Sequence, residues 1–296
     1  MTAELSVLSE ELADTVASVG MGVVRVEGRG RLPASGVVWT QDGVIVTANH
    51  VLERDDDIRI GLSNGESAGA ALIGRDPTTD LAALRLEVDG LNPPGLSEPE
   101  GIRVGNIALA LGRPGRTVQA TLGIVSALGE CWRTPAGGRI SRWLQTDLVM
   151  LPGFSGGPLV DASGSVIGMN TSALLRGVNV AVPIPTIRAV VEELLAYGRI
   201  RRGHLGVSFQ LVRLPEGVQL DQETGLLVAS VEKGSAAEQG GLLLGDTLAA
   251  VNGEAVRHPD DLMRLLGSDS VGTNASLLIL RAGEVRELSL IIGERR

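Results

Sequence analysis

Residues 152–161 read PGFSGGPLVD, a serine set among glycines and followed at once by an apolar run. The reading of Ser155 decides the fold. Either it is a nucleophile on a tight turn that enters a strand, or it is one hydroxyl in an ordinary loop. A serine hydroxyl is a poor nucleophile at neutral pH and needs an adjacent base, usually an imidazole whose tautomer is set by a carboxylate. Of the three histidines, His204 and His258 fall in a short C-terminal stretch, which leaves His50, in VTANHVL, as the base available to Ser155. For the carboxylate, Asp80 in DPTTDLAALRL stands at the head of an apolar strand, where it can be partly buried and still reach a neighbour. Asp55, Asp56 and Asp57 form a charge run that reads as a solvated loop. The candidates therefore occur in the chain order His, Asp, Ser.

Composition narrows the classes of function. At 296 residues the chain exceeds one ordinary core and suits two or three compact units. Hydrophobic residues make up 44% and aromatics only 2%, so the cores are expected to be aliphatic and the chain globular rather than disordered. A net charge of -9, from 26 basic and 35 acidic residues, offers no broad basic field, which argues against nucleic acid or anionic lipid as the main partner. The single cysteine, Cys131, cannot form an internal disulfide and reads as an unreactive small hydrophobe. No Cys/His spacing resembles a zinc site, and no metal or cofactor is expected. The start, MTAELSVLSEELADTV, lacks a basic region leading into an apolar run, and no stretch of about eighteen apolar residues occurs. The expectation is a soluble, cytoplasmic protein with no membrane span.

Periodicity divides the chain. Leu5, Leu8, Leu12, Val16 and Val19 recur at helical steps, predicting a helix over 1–20 that leads into a strand. SGVVWT and VIVTA flank Asp42-Gly43, while IRIGL and ESAGAALIG flank Asn64-Gly65, steps that supply the positive φ of hairpin turns. LAALRLEV, NIALALG, GIVSALG, RWLQTDLV, PLVD, SVIGMN and VNVAVPI continue the series of short strands, which suggests barrels or sandwiches. Ile187, Val190, Val191, Leu194 and Leu195 mark an amphipathic helix that Gly198 ends. The basic, glycine-bracketed GRIRRG at 198–203 places a boundary near residue 200. Beyond it, LGVSF, GLLVASV, DTLAAV, ASLLILR and VRELSLII supply strands. SAAEQG and HPDDLMRLLG supply two helices, with Ser235 and Glu238 at capping-box spacing and His258 at the second helix start. This is a small α+β module.

These blocks, taken in order, resemble the HtrA/Deg family of trypsin-like serine proteases. SGVVWTQDGVIVTANHVL, DLAALRL, ALGRPGRTVQATLGIVSALG, LQTDLVMLPGFSGGPLVD, GSVIGMNTS and VNVAVPIP carry the likeness, and RGHLGV with GLLVASVEKGSAAEQGGLLLGDTLAAVNGEAV resembles that family's PDZ domain. The resemblance implies a mainly β chain: a chymotrypsin-like double β-barrel over 21–200, then a PDZ domain over 201–296. It implies a catalytic triad of His50, Asp80 and Ser155, with the amides of Gly153 and Ser155 as the oxyanion hole. The implied activity is cleavage of unfolded or exposed polypeptide. The PDZ loop His204, Leu205, Gly206 and Val207, which follows Gly203, would bind peptide C-termini or extended segments, with Leu262, Leu265 or Leu266 lining a pocket or filling the core. His204 stands where the family often has an aromatic, and reads as a surface loop residue. A homotrimer is also implied, although the N-terminal segment carries a Leu/Val stripe where the family commonly assembles through aromatics.

The chain departs from the family at the nucleophile. Phe154 and Leu151 stand where asparagine is usual, and Asn49 precedes the base where alanine is usual. An amide fixes a loop through hydrogen bonds, whereas phenylalanine can do so only by packing. A silent or weakly active peptide-binding scaffold is therefore the alternative to an active or gated protease. A lipase or esterase is disfavoured, because FSGGP leads into strands rather than from strand to helix. Residues 148–152 and SALLRG from 172 are placed at the primary specificity pocket. They are mostly apolar and without an acidic residue, so cleavage after small or medium aliphatic residues is expected.

Overall fold

Hairpin turns and aliphatic strands organise most of the chain in the computed structural model, which describes residues 2–30, 32–97, 101–215 and 220–294. Two units emerge, residues 1–200 and 201–296. The first begins with α1 (Thr2–Gly20), whose outer half leaves Leu5, Val7 and Leu8 exposed. Its inner half docks on its own unit, with Leu12 and Val16 packed against the main core and Val19 buried in it.

Six strands follow: β1 (Val23–Glu27), β2 (Ala34–Val38), β3 (Val44–Ala48), β4 (Ile58–Gly61), β5 (Ser67–Asp76) and β6 (Leu81–Leu86). They close as an antiparallel barrel in the order β1-β2-β3-β6-β5-β4. Gly43, at φ +98°, makes the β2–β3 turn and packs so tightly against the Leu86 carbonyl that no Cβ fits there. VIVTA and LAAL are buried almost throughout, so these strands show no clean alternation of burial.

The second set comprises β7 (Ile107–Gly112), β8 (Gln119–Gly129), the hairpin of β9 (Trp132–Arg133) and β10 (Arg139–Ile140), β11 (Trp143–Thr146), β12 (Pro158–Asp161), β13 (Val166–Met169) and β14 (Val182–Pro183). Its six-stranded sheet runs β11-β8-β7-β12-β13-β14. Bonds from Thr146 N to Asn179 O at 3.0 Å and from Ala181 N to Leu144 O at 2.9 Å bring β11 back to the segment before β14, completing the second six-stranded barrel. VNVAVPI gives only the two-residue β14, because helix α2 (Ile184–Tyr197) begins directly behind it. Gly198, at φ +70°, caps that helix.

Phe154 is the largest fully buried side chain of the first unit and sits in the second barrel's core cluster with Val125, Leu144, Leu148, Leu159 and Ile167. Gly112 makes room for it: a Cβ there would lie 2.6 Å from the ring. Phe154 thus holds its loop by packing, rooting it in a barrel.

The second unit has its own core around Leu205, Leu226, Leu248, Leu277 and Ile279. Its strands are β15 (Gly203–His204), β16 (Val207–Arg213), β17 (Thr224–Val231), β18 (Thr247–Val251), β19 (Glu254–Ala255), β20 (Asn274–Arg281), β21 (Glu284–Ile291) and β22 (Gly293–Glu294). The main sheet runs β16-β17-β18-β20-β21, so β16 is an edge strand. α3 (Ala236–Gln239) starts at the Ser235 cap, and α4 (Pro259–Leu265) starts at His258. There the Asp261 carboxylate accepts from the amides of Arg257 and His258 at 2.9 and 3.0 Å. Asp246, almost fully buried, accepts both Arg281 Nε and Nη2 at 2.7 Å, which raises the arginine pKa above its ordinary value.

Trp39, Trp132 and Trp143 all lie in the first unit, so tryptophan fluorescence follows its unfolding separately. Phe154→Ala is expected to lower its stability by about 3–5 kcal/mol, seen as an earlier urea midpoint at unchanged slope. A loss below about 1 kcal/mol would show that the ring does not anchor the barrel.

Candidate active site

The site grows from a turn. In DPTTD, the buried Asp76 carboxylate accepts Thr78 N at 3.0 Å and the hydroxyls of Thr78 and Thr79 at 2.6 Å each. Thr134, in the β9–β10 hairpin, donates its hydroxyl to Thr78 O at 2.6 Å and braces the turn from outside. The turn delivers Asp80 at φ +59°, a left-handed conformation that aspartate tolerates better than most residues.

Asp80 then gathers its neighbours. Its carbonyl accepts Asn49 N at 3.0 Å, its Oδ1 accepts His50 N at 2.9 Å, and its Oδ2 lies 2.8 Å from His50 Nδ1. His50 lies in the short 3-10 turn Asn49–Val51 just after β3. The turn is what points its backbone amide and ring at one carboxylate. Because a carboxylate only accepts, Nδ1 carries a proton, and in the neutral ring Nε2 is then the acceptor. The Asp80 side chain is 5% exposed and that of His50 28%, so the acid is shielded while one edge of the imidazole meets solvent. Asn49 adds a cost, since its buried Oδ1 has no hydrogen-bond partner among the described residues.

Ser155 enters from the second barrel and is nearly buried. Its carbonyl accepts Ser35 N, on β2, at 3.1 Å, which ties it to the first barrel. Gly156, at φ +87°, leaves no room for a Cβ against Ser35 O and Thr47 Oγ1. The amides around Ser155 divide into spent and unspent donors. Phe154 N, Gly156 N and Gly157 N donate to Leu151 O, Asn170 O and Phe154 O at 3.1, 2.9 and 2.9 Å. Among the described residues, the amides of Gly153 and Ser155 donate to nothing. Two unspent donors beside a serine hydroxyl, one of them its own residue's amide, can receive a developing oxyanion.

Two contacts were not anticipated from the sequence, although Ser172 itself opens the SALLRG stretch placed at the specificity pocket. Thr171, buried beside β13, donates its hydroxyl to Asp80 Oδ2, joining the second barrel to the acid. Ser172 follows it, and its Oγ lies 3.3 Å from Ser155 Oγ. In this resting arrangement the serine hydroxyl bonds Ser172 and, among the described residues, not the imidazole. The NTS run lay inside a quoted block, but a hydroxyl's partner across a cleft has no sequence signature.

Other expected positions distribute as follows. Leu148 and Leu174 are buried in the barrel cores, whereas Val149, Leu151 and Ala173 are exposed. Asp55, Asp56 and Asp57 are exposed, and Cys131 is an exposed free thiol. In the second unit, Leu205 is buried with Leu262 in the core, while Val207, Leu265 and Leu266 are partly buried at its edge. Gly206, at φ +77°, lies against Ser235 with no room for a Cβ. His204 Nε2 faces Glu232 Oε2 at 3.2 Å.

Comparison with known proteins agrees with both units. Residues 34–169 match the trypsin-like peptidase domain, and residues 203–292 match the PDZ domain. A probable periplasmic serine endoprotease DegP-like of Ectopseudomonas mendocina (strain ymp) is 37% identical over 267 residues, covering 88% of this chain and 56% of that protein. A protein of the same description from Pseudomonas putida (strain W619) is 38% identical over 269 residues, covering 88% and 55%. The chain thus spans about half the length of these curated relatives. Among solved structures, the HtrA-type protease AlgW with tripeptide superposes at a TM-score of 0.74 with 31% identity, covering 96% of this chain and 97% of that one. AlgW with decapeptide gives 0.78 at 29%, covering 96% and 98%. With both domains matched in order, the chain belongs to the HtrA family of trypsin-like serine proteases with a C-terminal PDZ domain.

Proposed function

We propose that the chain is a serine endopeptidase that cleaves unfolded or exposed polypeptide through His50, Asp80 and Ser155. The observation that carries this is the doubly bonded His50–Asp80 pair, together with the two unspent amides of Gly153 and Ser155. In acylation Ser155 Oγ bonds the scissile carbonyl carbon as its proton passes to His50 Nε2, and the carbonyl oxygen takes negative charge at the amides of Gly153 and Ser155. His50 then gives that proton to the departing amine, and the C–N bond breaks. Water repeats the sequence to release the acyl group, its proton going to His50 and from there back to Ser155. Asp80 keeps its negative charge throughout and stabilises the imidazolium. Neither metal nor cofactor is invoked.

The second unit has the form required to take an extended peptide as an added strand. β16 is an edge, and the loop His204, Leu205, Gly206 and Val207 leads into it from Gly203, whose amide donates to Leu266 O at the end of α4. Peptide C-termini or extended segments are the proposed ligands, and a homotrimer is the assembly the family implies. No described helix is long and apolar enough to cross a membrane, and the relatives are named periplasmic. Cell fractionation decides between that setting and the cytoplasmic one expected from the sequence.

A catalytically silent scaffold is the second reading, favoured by the Ser155–Ser172 contact. Casein digestion separates the two: the wild type is expected to cut, Ser155→Ala and His50→Ala to lose about 10⁴-fold or more, and a C-terminal peptide to raise the wild-type rate. Wild-type digestion no faster than Ser155→Ala would establish the scaffold. In a peptide-library digest, cuts are expected after small or medium aliphatic residues, in keeping with the exposed Val149, Leu151 and Ala173. Cleavage mainly after Arg or Lys would reject that specificity. Finally, Ser172→Ala frees the Ser155 hydroxyl from a neutral hydrogen bond worth about 0.5–1.5 kcal/mol. Fluorophosphonate labelling of Ser155 is expected to quicken about two- to tenfold; an unchanged or slower rate would show that the contact does not restrain it.

A further inference from the structure

One wholly buried side chain outside the proposed triad is bound directly to the loop that carries Gly153 and Ser155. Ser35, on β2, donates its hydroxyl to Gly153 O at 2.7 Å and accepts Arg113 N at 2.7 Å. The direction of this relay is fixed by chemistry. A backbone amide can only donate and a carbonyl can only accept, so the single hydroxyl proton has to point at Gly153. Ser35 N also holds Ser155 O at 3.1 Å, and Thr47 Oγ1 anchors Ser35 O at 2.7 Å. Two consecutive hydrogen bonds from one residue therefore grip the loop on either side of Phe154.

Arg113 is itself immobilised. Its side chain, mostly buried, donates to Val23 O, Arg116 O and Gly20 O, each at 2.7 Å. Burial pulls the guanidinium pKa down, and the carbonyl at the end of α1 helps to compensate. Gly112 completes the fit, because a Cβ there would lie 3.0 Å from Ser35 Oγ. The relay thus runs from α1 and β1, through the β7 end, to the carbonyl of Gly153. That carbonyl fixes the peptide plane between the two unspent amides.

We propose that Ser35 is a positioning residue for oxyanion stabilisation: its hydroxyl sets the Gly153–Phe154 peptide so that the amides of Gly153 and Ser155 converge on one point. The inference rests on the serine endopeptidase reading. It assigns the first barrel a second task beyond carrying His50 and Asp80, that of orienting donors which belong to the second.

The test compares wild type, Ser35→Ala and Ser35→Cys on a fluorogenic peptide, with inhibition by a peptidyl aldehyde whose hemiacetal oxygen occupies the oxyanion position. Ser35→Ala is expected to lower kcat about 10- to 100-fold with KM within about twofold, less than the 10²–10³ lost with a whole donor. Aldehyde affinity should fall by a similar factor. The acid limb of the pH–rate profile should stay in place, because the His50–Asp80 pair is untouched. Ser35→Cys keeps the volume with a weaker donor and should fall between the two. If Ser35→Ala fails to fold, Ser35→Cys decides on the same readouts. Folded variants with kcat within about twofold of wild type, or with lost kcat and full aldehyde affinity, overturn the relay alone. Wild-type cleavage that survives Ser155→Ala overturns the endopeptidase reading, and the relay with it.

Discussion

A carboxylate almost wholly withdrawn from water has to be met by donors, and the demand of Asp80 organises the site. One oxygen takes the amide of His50, while the other takes its ring and the hydroxyl of Thr171. These donors come from the turn after β3 and from the segment after β13, so satisfying the acid draws the two barrels of the first unit together. The cost of the left-handed backbone at residue 80, and of the Asn49 amide oxygen that lacks a partner among the described residues, is offset by this charge-assisted bonding.

The loop bearing Ser155 is held by a different kind of force. At the position before the serine, hydrogen bonding would serve with asparagine, but here an aromatic ring occupies the second barrel's core. The ring fixes depth and leaves direction open, because burial is non-directional. Direction comes from hydrogen bonds to Gly153 O and Ser155 O, both supplied by β2. Apolar anchoring and polar aiming are thus divided between the two barrels.

That division explains what was legible in the sequence. Short strands, Asp-Gly and Asn-Gly turns and the GRIRRG boundary follow from local propensities, and they marked nearly every long strand of both units. His50, Asp80 and Ser155 could be nominated because few residue types perform their chemistry and the chain has one histidine within reach. Local patterns failed where structure depends on distant partners. The β9–β10 and β15–β22 pairs are only two residues long per strand and carry no alternation to detect. Ser35 and Thr171 look like ordinary strand or loop hydroxyls until folding sets them against residues 118 and 91 positions away. The consequence of Phe154 could not be read either, since its pocket exists only because Gly112 lacks a side chain.

The same energetics constrain where a gate could lie. Taking the loop out of its present shape would pull Phe154 from the barrel core, at about the 3–5 kcal/mol that a buried phenylalanine contributes, and would break the Ser35 bonds as well. Turning the Ser155 hydroxyl from Ser172 toward the imidazole costs one long neutral hydrogen bond, which corresponds to at most about a tenfold change in population. The cheaper motion is the side-chain rotation. The loop as it stands is therefore the stable ground state, and on the proposed mechanism the resting restraint falls on the Ser155 hydroxyl, where a bound substrate would relieve it without refolding the loop.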